Sequence, residues 1–154
     1  MKLTMLAIVA ILSACGKSKQ EGAGSASGSA SGRPANVTDE MAATFEAYVV
    51  AFEKLTADIE HAGADCKAVL AVVQRDIKDV IAPLTPRGDK LHEAMSGLKG
   101  DPNATQWFAI TYTARMKESS LKLKPLETNC AQDAELHAAV NDAMSMFPMM
   151  RKKS

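Results

Sequence analysis

Residues 38–63 read TDEMAATFEAYVVAFEKLTADIEHAG, and their spacing decides the fold class. Apolar side chains recur at Met41, Phe45, Tyr48, Phe52, Leu55 and Ile59, in steps of 4, 3, 4, 3 and 4. That is the seam of a helix with 3.6 residues per turn; a strand would alternate at every second position. Thr38 suits the N-cap, because its hydroxyl accepts a backbone N–H that the first turn leaves unpaired. Asp39 and Glu40 follow where the helix dipole favours anions. Gly63 is placed to end the helix.

The same reading extends toward the C-terminus. Asp65 caps a second helix with Cys66, Val69, Val73, Ile77, Val80 and Leu84 on one face, and Pro83 marks its end. Thr85-Pro86 opens a short third helix with Leu91, Met95 and Leu98, closed by Gly97 and Gly100. Asp101-Pro102 opens a fourth, which runs to about Lys124 with Trp107, Phe108, Ile110, Tyr112, Met116, Leu121 and Leu123 in a broad stripe, until Pro125 breaks it. Asn129 and Gln132 form a capping-box pattern for a last helix that buries Leu136, Val140, Ala143, Phe147 and Met150 and ends or kinks at Pro148. The chain is therefore expected to be all-α. The first, second, fourth and last helices are long enough for an antiparallel four-helix bundle, with the third as a short additional crossover helix.

The whole chain has 154 residues, the length of one domain. Its 18 basic and 18 acidic residues give no basic footprint for nucleic acid. The balance conceals a segregation: residues 38–150 carry 11 basic and 17 acidic side chains, between basic flanking segments. The acidic body reads as a solvated surface. Residues 151–154 form a basic tail containing Arg151, Lys152 and Lys153.

Before the helices lie two other kinds of sequence. Residues 1–14 begin with Lys2, continue in an apolar run from Leu3 to Leu12 and finish in small residues. A run of ten residues falls short of the roughly 20 that span a hydrocarbon core, so the segment reads as a secretory signal. Its end, Leu12-Ser13-Ala14-Cys15, resembles the lipobox of bacterial lipoprotein precursors. The resemblance covers about a tenth of the chain, and the folded part is assigned to no family. It implies that the Cys15 sulfur carries a diacylglycerol, that cleavage falls just before Cys15, and that the protein reaches a bacterial cell envelope on a lipid anchor. Gly16 follows in place of the Asp that retains such proteins in the inner membrane, so the resemblance points to the outer membrane of a diderm cell. Each buried CH₂ contributes about 0.8 kcal/mol, so two or three chains make release negligible. Residues 15–37, with the low-complexity run GSASGSASG, read as a flexible tether with a reach of roughly 25 Å.

Cys66 and Cys130 remain once Cys15 is lipidated, and in an oxidising compartment an even pair reads as a disulfide. With the third helix as a crossover, both cysteines lie at the same end of the bundle; with it as a full stave, they lie at opposite ends. A bridge needs Cα atoms within about 7 Å, so the pairing and the crossover are expected together, near His61. His61, His92 and His137 match no zinc spacing, and His92-Glu93 lacks the second histidine of HExxH, which is Ser96 here. There is no CxxCH, and Met41 and His137 fall toward opposite ends, so no haem is expected. Met144, Met146, Met149 and Met150 form a thioether cluster that suits Cu(I) or fills an apolar helix face. Arg87-Gly88-Asp89 matches a cell-adhesion tripeptide at a length where chance suffices. Pro102 spoils the sequon-like run from Asp101 to Thr105. No nucleophile elbow or phosphate loop occurs. The expectation is a non-enzymatic, lipid-anchored helical bundle without cofactor, with a binding or structural role and an envelope protein as its partner. The alternative is a periplasmic copper or other metal binder using the C-terminal methionines.

Overall fold

The computed structural model describes residues 32–98 and 100–148. The signal, Cys15 and most of the tether lie outside the described residues, as do Met149, Met150 and the basic tail. Among the described residues the regular structure is helical throughout, with no strand.

Helix α1 spans Asp39–Ala62 and forms for the reasons its sequence states. The Thr38 hydroxyl accepts from the Met41 N–H at 3.2 Å, and Gly63 ends the helix at φ 72°, its N–H returning to the Glu60 carbonyl. All six seam residues are buried. Thr44, Val49, Ala51 and Thr56 are buried as well, so α1 is enclosed on most of its circumference and forms the centre of the domain. The chain packs one step earlier than the tether reading places it. Val37 is 1% exposed, and the Asn36 side chain donates to Asp101. The apolar Val37 immediately before the cap has somewhere to be buried only against the helices.

Helix α2 (Cys66–Asp76) starts on its expected cap, Asp65, whose carboxylate accepts from the Lys67 and Ala68 N–H groups. It does not stop at Pro83. A π-helical turn, Ile77–Ile81, and a 3₁₀ turn, Ala82–Leu84, carry it directly into α3 (Thr85–Gly97). Changing the hydrogen-bond pitch lets the backbone absorb a proline, which lacks an N–H, without leaving helical geometry. Thr85 is accordingly inside the helix rather than its cap, and Leu84 precedes it without a side-chain cap.

The expected crossover does not run across an end. Successive contacts descend α1: Arg75 pairs with Asp58, Arg87 donates to the Thr44 hydroxyl at 3.5 Å, and Leu91 and Ala94 share a groove with Met41 and Thr38. The third helix continues the path of the second.

Helix α4 (Pro102–Leu121) begins on Asp101, which accepts from the Asn103 and Ala104 N–H groups. Its contacts climb α1. Phe108 and Tyr112 pack against Phe45 as tilted rings with centroids 4.8 and 4.6 Å away, Arg115 grips Glu46 and Glu53, and Lys122 reaches Glu60 at 3.5 Å. The broad stripe resolves into two faces. Ala104, Phe108, Tyr112 and Ser119 are buried, whereas Ile110 is 64% and Leu121 49% exposed.

Pro125 does not break this helix, which has already ended. It sits in the first turn of a short α5 (Lys124–Asn129), where a missing N–H costs nothing because first-turn donors have no intrahelical partner. The last helix, α6 (Ala134–Ser145), is capped by Asp133 rather than Asn129, the Asp133 carboxylate accepting from the Leu136 N–H at 2.9 Å. Asn129 is consumed as the end of α5. From α6 the chain delivers Phe147 against Tyr48 and Phe52, with ring centroids 5.6 and 5.7 Å apart.

Candidate functional site

Between the first turns of α1 and the exposed side of α3 lies a groove of about 230 Å³. Its floor is built from Met41, Thr44 and Leu91, all buried; its rim is Thr38, Glu40, Arg87, Lys90 and Ala94, all exposed. Helical spacing accounts for the set. Arg87, Lys90, Leu91 and Ala94 follow the i, i+3, i+4, i+7 rule on α3, and Thr44 lies three and four residues after Met41 and Glu40 on α1. The groove therefore combines an apolar base with hydroxyls, two cations and one carboxylate. Its volume is below the ~300 Å³ at which drug-sized sites begin.

Two charge clusters tie the helices together. The Arg115 guanidinium donates to both Glu53 oxygens at 2.7 Å and to Glu46 at 2.8 and 2.9 Å. A planar fork between carboxylates seven residues apart on α1 sets the axial position of α4. The second cluster joins α1 to α2: Asp58 takes Lys54 and Arg75, and Arg75 also pairs with Asp76 at 2.8 Å. Asp76 is 1% exposed, follows Val73 by three residues on the buried face, and its Oδ2 has no hydrogen-bond partner among the described residues. Sequence reading missed this buried aspartate. The signal was available, because the helix seam through Val69 and Val73 passes through position 76.

These clusters make stability fall in acid. The hydrogen bond from Arg115 holds the Glu53 carboxyl below its ordinary value of 4.5, and that from Lys54 holds Asp58 below 3.8. Folded values below unfolded ones mean that the stabilisation is complete above those ordinary values. It is lost as pH falls through the folded values. The urea midpoint is thus expected to stay level from neutral pH to about pH 5 and then to drop, and Glu53→Gln should remove part of the drop. A midpoint that declines steadily from pH 7, or a Glu53→Gln profile matching the parent, contradicts this.

Cys66 and Cys130 are joined in a disulfide, with Cα atoms 5.7 Å apart. The pairing does not need the crossover expected with it. The bond joins the first residue of α2 to the residue that follows α5. The histidines are not assembled into a site. His61 Nδ1 lies 2.8 Å from the Ala57 carbonyl, His137 Nε2 lies 3.2 Å from that of Ala131, and His92 Nδ1 lies 3.2 Å from that of Pro148. Among the described residues no group of three or more His, Cys, Asp or Glu is placed to hold a metal. Of the methionine cluster, Met144 is in the core and Met146 is half-buried; Met149 and Met150 lie outside the described residues. The Arg87-Gly88-Asp89 tripeptide lies within α3 with Gly88 buried, not on a presented loop.

Among the described residues no helix is long and apolar enough to cross a membrane. The described residues form an all-α domain linked by the Cys66–Cys130 disulfide. Comparison with known protein families, with curated proteins and with solved structures finds no match.

Proposed function

We propose that this protein is a lipid-anchored, non-enzymatic lipoprotein of a bacterial cell envelope, whose helical domain has a binding role at the end of a tether. The observation that carries the reading is Leu12-Ser13-Ala14-Cys15 at the end of the largely apolar run that starts at Leu3. The Cys66–Cys130 disulfide agrees with an oxidising destination. The arrangement we favour for the domain is an antiparallel four-stave bundle, with α1 up, α2 through α3 down, α4 up and α6 down. The climbing and descending contacts along α1 support it. Gly16 after the anchor favours the outer membrane of a diderm cell, and an envelope protein is the partner such a location offers.

The anchor is tested by metabolic labelling with palmitate and by membrane fractionation. The parent chain should label and sediment with membranes, and Cys15→Ser should abolish labelling. A Cys15→Ser chain that still labels and sediments overturns the anchor.

A further inference from the structure

We infer that the groove between α1 and α3 binds a small zwitterion of the amino-acid type with an apolar side chain. Three observations converge on it. First, among the described residues Arg87, Lys90 and Glu40 make no ion pair, although the other charged clusters of the domain are closely paired. Arg87 has only the long 3.5 Å contact to Thr44. Two neighbouring cations on one rim that make no ion pair among the described residues offer donors to a carboxylate, and an arginine fork suits it best. Second, Glu40 lines the same groove and opposes the binding of a simple anion. A ligand carrying an ammonium group beside its carboxylate turns that opposition into a second contact. Third, the floor between the charges is Met41 and Leu91, which a short aliphatic side chain covers. The buried Thr44 hydroxyl is the polar group at the base. The volume of about 230 Å³ is that of about eight waters at roughly 30 Å³ each, enough for a single amino acid.

This inference rests on the binding reading of the domain and is independent of the lipid anchor. The probe is L-leucine, titrated calorimetrically into the full mature chain in detergent. Two analogues accompany it: 4-methylpentanoate, which lacks the ammonium group, and 3-methylbutylamine, which lacks the carboxylate. Leucine should bind saturably and more tightly than either analogue. Arg87→Gln should weaken leucine by about tenfold or more, the loss of a charge-assisted hydrogen bond. Glu40→Gln should weaken leucine and leave 4-methylpentanoate unchanged or tighter. Unchanged thermal melts check that these exposed substitutions leave the fold intact. No saturable leucine binding at millimolar concentration overturns the inference, and so does binding insensitive to Arg87→Gln. Equal affinity for leucine and 4-methylpentanoate overturns the zwitterion assignment. Crosslinking in native membranes tests the broader reading separately: a specific captured envelope partner with no leucine binding removes the ligand and keeps the binding role.

Discussion

Replacing Cys66 and Cys130 together by serine should lower the unfolding free energy by about 4 kcal/mol in the chain-entropy account of a closed loop of this length. The sequence separation is 64 residues, and that loop contains everything from α2 to α5. Without the bond the denatured chain gains the freedom of that whole segment. The folded state also loses the covalent tie between the start of α2 and the turn that feeds α6. Cys130 is buried, so serine there places a hydroxyl in a nearly closed site and adds to the loss. The measurement is urea unfolding of the oxidised parent, the reduced parent and the double variant. The last two should unfold at similar, much lower urea concentrations. A reduced chain within about 1 kcal/mol of the oxidised one would show that the denatured state keeps the two segments together without the bond.

The second large effect is expected at Gly88. A Cβ built on this residue would sit 2.1 Å from the Tyr48 hydroxyl oxygen, 2.8 Å from Tyr48 Cζ and 3.0 Å from Pro148 Cγ. Tyr48 is fully buried and packs edge-on against Phe147, so its ring has little room to retreat. Alanine normally improves a helix interior over glycine by about 1 kcal/mol. Here overpacking costs about 3 kcal/mol and the steric term wins, leaving Gly88→Ala destabilised by about 2 kcal/mol. That should lower the urea midpoint by about 1 M. Tyr48→Phe removes the closest atom, so the double variant should lose less than the sum of the single changes, a coupling readable in a double-mutant cycle. Strict additivity would place the strain elsewhere, and a stabilised Gly88→Ala would mean that α3 stands off from α1. The glycine of an apparent adhesion tripeptide is in this account a packing requirement between two helices.

The fold class was legible because its signal is local. The 4, 3, 4, 3, 4 seam of α1, the caps at Thr38, Asp65 and Asp101, and the glycine stop at Gly63 each depend on neighbours within a turn or two. The misreadings share one cause. Pro83 and Pro125 are both helix-compatible near a first turn and helix-breaking in an interior, and which applies depends on where hydrogen bonding restarts. Asn129 and Asp133 compete for one cap, and α5 decides between them by using Asn129 as its own last residue. On α4, apolar residues occupy both faces. Periodicity alone left open that Phe108 and Tyr112 turn inward while Ile110 faces solvent; contact with Phe45 selects the face.

The Cys66–Cys130 pairing was expected on the reading that Cys15 carries lipid, which leaves one pair among three cysteines. The groove was illegible for a different reason: Arg87 and Lys90 are ordinary residues for an exposed helix until the partners they lack are known. The amino-acid sequence by itself determined the all-α class and the starts of α1, α2 and α4. Tertiary structure decided the continuation of α2 into α3, the burial of Asp76, the steric demand on Gly88 and the meeting of α1 and α3 around the groove. The division has one physical reason. Helix formation and capping are settled by hydrogen bonds within about four residues, whereas packing, burial of charge and the shape of a groove depend on residues that are distant in sequence.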